Sequence, residues 1–244
     1  MRAIPVAIYL AVLILAAWLL YYSVASPFFA VREVVVSGAK LLDVQQAKET
    51  IGCMGQNSLL LQTDQIALSV RSFPEVQNVH VAAMLPGRVE IGVRERTPIV
   101  QWKAQDGSFL VDREGIAFST EPPPGPVMVV KDIDGPSIRL GSRIDPTLLA
   151  DVEVLMGALS EIGIRFSEFE YSQNRGISVP VQDGPAIVFG DASDLESKLA
   201  ALSAISTHLE TTKARAETID LRFKGRPVYT LASSAPAKPG QPRP

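Results

Sequence analysis

The sequence predicts an α+β protein: an N-terminal transmembrane helix, then a small β-α-α-β-β unit, then a second mixed, mostly antiparallel α+β unit. Three observations carry that prediction. The run Ala3–Tyr22 contains no charged or strongly polar residue, residues 79–93 alternate with period two on both sides of Leu85-Pro86-Gly87, and two later segments, 145–163 and 193–209, space their large apolar residues as helices do. Composition narrows the function classes further. With 23 Lys+Arg against 26 Asp+Glu and a net charge of -3, no bulk field exists to hold duplex nucleic acid. A content of 47% hydrophobic and 20% charged residues is too apolar for a disordered chain. The mean hydropathy of +0.18 is concentrated at the front, where 22 of the first 26 residues are hydrophobic and Arg2 is the single charge.

Residues 3–24 are expected to form the transmembrane helix, because about 20 residues at ~1.5 Å each cover the ~30 Å hydrocarbon core. Trp18, Tyr21 and Tyr22, followed by Phe28 and Phe29, suit a membrane-water interface, and Arg2 places residues 1–2 in the cytoplasm as a short stub. Ser23-Val24-Ala25 offers the small residues of a signal-peptide cleavage site. The apolar run nevertheless exceeds the ~7–15 residues of a signal core and ends in bulky aromatics, which favours an uncleaved anchor. Cys53 is the single cysteine, so no intrachain disulfide framework exists, and its flanking Gly52 and Met54 suggest a small buried side chain rather than a reactive thiol.

The first exported unit is expected over 27–96. Val31–Val36 reads as a strand closed by Ser37-Gly38. Asp43 with Gln46 reads as a capping box for a helix with Val44, Ala47 and Ile51 inward. Thr63 is the expected cap of a second helix, with Ile66, Val70 and Phe73 inward and Pro74 as its stop. A hairpin follows, with Val79, Val81, Ala83, Val89, Ile91 and Val93 on its buried face. Two helices would then cover one face of a three-stranded sheet whose edges stay open to pairing with another chain. Arg94-Glu95-Arg96 reads most simply as a solvated, mutually paired strand end, with a partner-docking role as the alternative.

The second unit is expected over 97–231. Ile99–Trp102, Ser108–Val111 and Ile116–Phe118 are short strands between Asp106-Gly107 and Glu114-Gly115 turns, and Pro122, Pro123, Pro124 and Pro126 stiffen the loop before Val127–Val130. Asp145-Pro146 starts a helix with Leu148, Val152, Leu155, Leu159 and Ile162 as its stripe. Strands are expected at Phe166–Tyr171, Gly176–Val181 and Ala186–Phe189, the last two joined around Asp183-Gly184. Ser193 with Glu196 should open a second helix carrying Leu195, Leu199, Leu202, Ile205 and Leu209. Glu217–Phe223 and Pro227–Leu231 read as closing strands, and 232–244, rich in Ser, Ala, Pro, Lys and Gln, as a disordered tail.

A search for chemistry returns no catalytic, cofactor-binding or metal-binding residue. His80 and His208 have no cysteine or carboxylate at ligand spacing. Asp132-Ile-Asp134-Gly135 begins like a calcium loop, but the closing Glu is replaced by Arg143. Asp106, Asp112 and Glu114 lie at hairpin turns, where carboxylates serve local hydrogen bonds.

Several short motifs resemble the FtsQ/DivIB family of bacterial cell-division proteins in order and spacing. They are Phe29-Ala-Val31-Arg-Glu-Val34 with Val36-Ser-Gly38, Pro74-Glu-Val76, Pro86-Gly87-Arg-Val89, Val93-Arg-Glu95-Arg96-Thr-Pro98, and Val111-Asp112-Arg-Glu-Gly115 with Phe118. The resemblance implies a POTRA-like domain at 27–96, an FtsQ-type β domain at 97–231, and a non-enzymatic scaffold of the divisome in the cell membrane at the septum. It would recruit FtsB/DivIC-like and FtsL-like partners and take no small-molecule substrate. It also implies that the closing strands engage a partner, by β-augmentation, with Phe223 and Tyr229 as anchors, Val228 beside them, and Arg222 or Lys224 meeting partner acids. Leu221 and Phe223 share a face by alternation, so Phe223 can be anchor or core. Two rivals are a POTRA-bearing export or assembly factor, disfavoured in its outer-membrane form because no long series of lipid-facing strands follows in this sequence, and an anchored extracytoplasmic enzyme built around His80 or His208. The stub 1–2 is too short to hold a cytoplasmic partner.

Overall fold

The computed structural model describes residues 6–123, 125–182 and 184–232. The expected cytoplasmic stub, residues 3–5 of the expected span, Pro124, Asp183 and the tail from 233 lie outside the described residues. The chain divides into two compact units, Met1–Arg96 and Thr97–Pro244.

The first unit opens with α1 (Val6–Ala25), a helix without a charged residue whose large side chains are exposed. Among the described residues no helix is long and apolar enough to cross a membrane. A 3-10 turn, Pro27–Phe29, follows. Then come β1 (Glu33–Ser37), α2 (Val44–Ile51), α3 (Thr63–Arg71), β2 (Val76–Met84) and β3 (Arg88–Glu95). The strand order is β1-β3-β2, with β1 parallel and β2 antiparallel to β3. Ala47, Ile66 and Val70 from the helices meet Val34, Val79, Val89, Ile91 and Val93 from the sheet in one core. Cys53 joins this core, where burial pushes its thiol up.

Asp43 caps α2, its Oδ1 accepting from the amides of Gln45 at 2.8 Å and Gln46 at 3.2 Å. Thr63 does not cap α3. Gln62 occupies the cap position without a side-chain bond; its carbonyl accepts the amides of Gln65 at 3.1 Å and Ile66 at 3.3 Å, so Thr63 is the first helical residue. The expectation for 94–96 also needs correction. Glu95 Oε1 accepts the three successive amides of Lys40, Leu41 and Leu42 at 2.7–2.8 Å, and Arg96 Nε donates to the Pro74 carbonyl at 3.1 Å. The end of β3 is thereby tied to the β1–α2 loop and to the approach to β2.

The second unit is a nine-stranded mixed sheet of order β12-β11-β10-β9-β8-β7-β4-β5-β6. Its strands are β4 (Val100–Ala104), β5 (Gly107–Val111), β6 (Ala117–Ser119), β7 (Met128–Asp132), β8 (Phe169–Ser172), β9 (Gly176–Pro180), β10 (Ala186–Gly190), β11 (Ala216–Asp220) and β12 (Val228–Leu231). Pairings are antiparallel except β4–β7, β7–β8 and β10–β11. The helices α4 (Pro146–Glu161) and α5 (Leu195–Thr212) share one core with the sheet, built on Trp102, Phe169, Val179, Phe189, Leu155 and Leu202. Asp145 caps α4 through the Thr147 amide at 2.9 Å.

Local turns move several expected boundaries. The stripe of α4 runs through Leu149, Val152, Leu155 and Leu159, while Ile162 is exposed, because the helix ends at Glu161 and Gly163, at φ +75°, turns the chain away. Phe166 makes an isolated bridge with Val181, and the strand begins at Phe169. Ser193 does not open α5: its amide and hydroxyl both donate to Asp191 Oδ1, and the helix starts at Leu195 after Asp194, held at φ +49°. The aspartates Asp132 and Asp134 are spent on the fold. Asp132 accepts from Trp102 Nε1 at 3.3 Å and the Gly135 amide at 2.7 Å, and Asp134 accepts from the Ser172 hydroxyl and the Gln173 amide at 2.8 Å each. The Gln173 amide is the main reason the Asp134 carboxyl lies below its usual range.

Glu95→Ala removes a charged acceptor of three amides and is expected to destabilise the first unit by about 1.5–3 kcal/mol. Arg94→Ala, at an exposed position one residue earlier, should change stability by less than about 0.5 kcal/mol. Urea unfolding of the two variants checks the contrast.

Candidate functional site

The candidate site is the β12 end of the large sheet. The chain enters it along β11, whose Ile219 is buried against the helices. Strand geometry stops at Asp220 rather than at Phe223, because the Asp220 carboxylate accepts the Arg222 amide at 3.1 Å and bends the backbone. The same carboxylate grips the Arg222 guanidinium in a fork, Nε at 3.0 and 3.1 Å and Nη2 at 2.7 Å. This fork lowers the Asp220 carboxyl and raises the Arg222 guanidinium. Arg222 also reaches the Asn174 carbonyl at 3.3 Å. Leu221 is 2% exposed and Phe223 is 58% exposed. The alternation that would put them on one face is broken by the Asp220 turn.

A tight turn then reverses the chain. The Arg226 amide donates to the Phe223 carbonyl at 3.0 Å, and Gly225 at φ +68° takes the left-handed position, as a type II turn requires. Lys224 lies in this turn, its Nζ 2.8 Å from Asp194 Oδ1. Asp194 stands at the N-terminus of α5 but makes no cap bond; its carboxylate holds the turn instead. Beneath the turn, Lys198 is buried, and its ammonium donates to the Phe189 carbonyl at 2.9 Å, the Asp191 carbonyl at 3.0 Å and Asp191 Oδ1 at 2.8 Å. All three of its protons are thus used. The Lys198 ammonium, with help from Ser193, holds the Asp191 carboxyl down at about 2. Asp151 on α4 moves the opposite way, pushed up mainly by burial and in part by the nearby Asp191 charge.

Returning along β12, every residue from Val228 to Leu231 is exposed. Tyr229 lies opposite Ile219, and Val228 opposite Asp220. Directly opposed residues share a face, so Tyr229 leans toward the helix-covered face, where its ring is 6.3 Å from that of His208. Val228 lies on the other face. Phe223 stands outside both strands, with the Arg222 guanidinium 5.4 Å from its ring centre, a contact worth about 0.5–1 kcal/mol at exposed sites.

Of the residues the sequence singled out, Arg222, Phe223, Lys224, Val228 and Tyr229 therefore come together on one turn and its edge strand. Phe223, Val228 and Tyr229 are free to meet another surface. Arg222 and Lys224 hold internal partners, Asp220 and Asp194. Sequence reasoning missed Leu231, 54% exposed on the same edge, and the supporting Lys198. The signal for Lys198 was present: residues 195, 198, 202, 205 and 209 form one helical stripe, and a lysine inside an apolar stripe must find acceptors. Among the described residues no group of three or more His, Cys, Asp or Glu is arranged to hold a metal ion.

Lys198→Met should let the Asp191 carboxyl rise toward the ordinary aspartate range. A carboxyl lowered in the folded state adds stability that is complete above its unfolded value and disappears as pH falls through the folded one. The acid-induced loss of stability between about pH 4 and pH 2 should accordingly flatten in the variant. A carbon-detected NMR titration of Asp191, run beside acid unfolding, reads both effects.

Two family models match the chain: "POTRA domain, FtsQ-type" over residues 29–96, and "Cell division protein FtsQ/DivIB, C-terminal" over residues 100–222. The second match ends at Arg222, so Phe223, Lys224, Val228 and Tyr229 lie beyond it. Among curated relatives, the cell division protein FtsQ of Chloroflexus aggregans is 26% identical over 196 residues, 79% of this chain and 72% of the relative. That of Mycobacteroides abscessus is 28% identical over 193 residues, 78% of this chain and 58% of the relative. That of Mycobacterium tuberculosis is 27% identical over 183 residues, 75% of this chain and 56% of the relative.

Proposed function

Because the chain belongs to the FtsQ/DivIB family of cell-division proteins, we propose that it is a non-enzymatic divisome scaffold that captures a partner strand on the free edge of β12. The observation that carries this reading is the pairing of an edge strand exposed at every residue with an exposed Phe223 on the adjoining turn. An edge strand offers unpaired amides and carbonyls to an added strand, and side chains beside it select which strand is accepted. Phe223, Val228, Tyr229 and Leu231 supply apolar contact on both faces of that edge. Arg222 and Lys224 contribute by holding the turn rigid, which lowers the ordering cost of binding. The partners we assign are the FtsB/DivIC-like and FtsL-like coiled-coil proteins.

We further propose that α1 anchors the chain in the cell membrane at the septum, with the N-terminus in the cytoplasm and residues 27–231 exported. Support comes from its 20 charge-free residues, which at ~1.5 Å per residue reach about 30 Å, and from its exposed apolar surface, including Val12, Leu13 and Ile14. Trp18, Tyr21 and Tyr22 near its end fit an aromatic belt.

Two experiments test these readings separately. Phe223→Lys is expected to abolish capture of the coiled-coil partner in cells while leaving the thermal transition of the exported part unchanged. Capture that survives the substitution, or a domain that unfolds, contradicts the anchor role. For the span, Leu13→Arg with Ile14→Arg places two charges at mid-helix, at a cost of about 2.5–3.5 kcal/mol each in a bilayer. The doubly substituted chain should move from the carbonate-resistant membrane fraction to the soluble one.

A further inference from the structure

We propose that the first unit seats an apolar collar, formed by the β2–β3 turn and the loop between α2 and α3, in the lipid headgroup layer from which α1 emerges. This rests on the reading of α1 as a membrane span.

The collar is built by hydrogen bonds around the end of α1. Asn57 Nδ2 donates to the Ser23 carbonyl at 3.0 Å and the Val24 carbonyl at 2.8 Å, satisfying acceptors that the last turn of a helix leaves open. The loop carrying Asn57 is laced to the segment after α1: the Ser58 amide donates to the Phe29 carbonyl at 2.8 Å, Val31 to Gln56 at 2.8 Å, and Gly55 to Val31 at 2.9 Å. The hairpin turn closes in from another side. The Arg32 amide donates to the Gly87 carbonyl at 2.7 Å. Gly87 itself, at φ +80°, lies so near Ala30 that a Cβ there would be 2.3 Å from the Ala30 carbonyl oxygen. Both loops are therefore fixed at the level of residues 23–32.

At that level the unit exposes Phe28, Met54, Leu59, Leu60, Met84 and Leu85. Leu60 is 62% exposed and Leu85 is 58% exposed. Large apolar side chains gathered on three loops amount to more than the scattered surface hydrophobes of a soluble domain. They follow directly on the Trp18, Tyr21 and Tyr22 belt. A hollow of about 410 Å³, lined by Tyr21, Tyr22, Ser26, Pro27, Phe28 and Arg32, sets the Arg32 guanidinium among the aromatics; its Nη2 donates to the Pro27 carbonyl at 3.0 Å, and a phosphate headgroup would meet its remaining donors. Arg88, at the start of β3, is paired with Glu33 and Glu90. Continuity with a helix that has no charge selects lipid as the occupant.

The test uses the full chain in vesicles of phosphatidylethanolamine and phosphatidylglycerol, in a Cys53→Ala background. An environment-sensitive fluorophore is attached at Leu60→Cys, Leu85→Cys, Val12→Cys or Arg94→Cys. Arg94 lies seven residues along β3 from Gly87, roughly 23 Å away at strand rise. Nitroxides on the lipid headgroup should quench the probes at positions 60 and 85 several-fold more strongly than the one at 94, and nitroxides deep in the acyl chains should quench the probe at 12. Quenching at 12 with positions 60 and 85 no different from 94 overturns the collar while the span stands; a protein rather than lipid occupant would give that same pattern. No quenching at 12 overturns the span and the collar with it. Because all four probes sit on exposed side chains, circular dichroism of each labelled chain should match the parent.

Discussion

The geometry of the β12 edge and its adjoining turn depends on the ion pair between Asp220 and Arg222. A strand that ran straight through Phe223 would carry that ring to the face Leu221 buries, and the ring would not stand exposed beside the edge. By accepting both the Arg222 amide and its guanidinium, Asp220 ends β11, turns Phe223 outward and lays Arg222 across to the Asn174 carbonyl. The turn that follows is fixed from beneath by Lys224 on Asp194. Lys198, with its three acceptors, holds the end of β10 on which β11 rests. A pair partly screened by water, as this one is, contributes modestly to stability. Its effect lies in which side chains face outward.

Charge plays a consistent part across the chain. The balance of acids and bases leaves no net field to draw a partner in, and the charged residues at the candidate site are largely paired with one another. The proposed strand capture therefore rests on main-chain pairing and on apolar side chains beside an open edge. Such recognition relies on the edge being held in place beforehand, which the internal pairs provide.

Much of this was legible in the sequence, for physical reasons that also explain the failures. The hairpin of β2 and β3 was readable because period two and a Pro-Gly turn leave few alternatives. The stripe of α5 was readable because leucines at helical spacing do. Helix starts were less secure: Asp43 and Asp145 cap as their type suggests, whereas Thr63 does not, because the helical hydrogen bonds begin one residue earlier at the Gln62 carbonyl, and Ser193 does not, because its amide and hydroxyl donate to Asp191. The role of Glu95 was hidden because its three partners lie more than fifty residues away in sequence. The same holds for Phe223: alternation left an outward and a core placement equal, and a local side-chain bond at Asp220 goes with the outward one.

Hydrogen exchange of the β12 amides tests the central claim most directly. With the exported part of an FtsB/DivIC-like partner added, the account predicts that amides of Val228–Leu231 exchange markedly more slowly, as they would on pairing with an added strand. A complex that forms while these amides exchange at their free rates would contradict it.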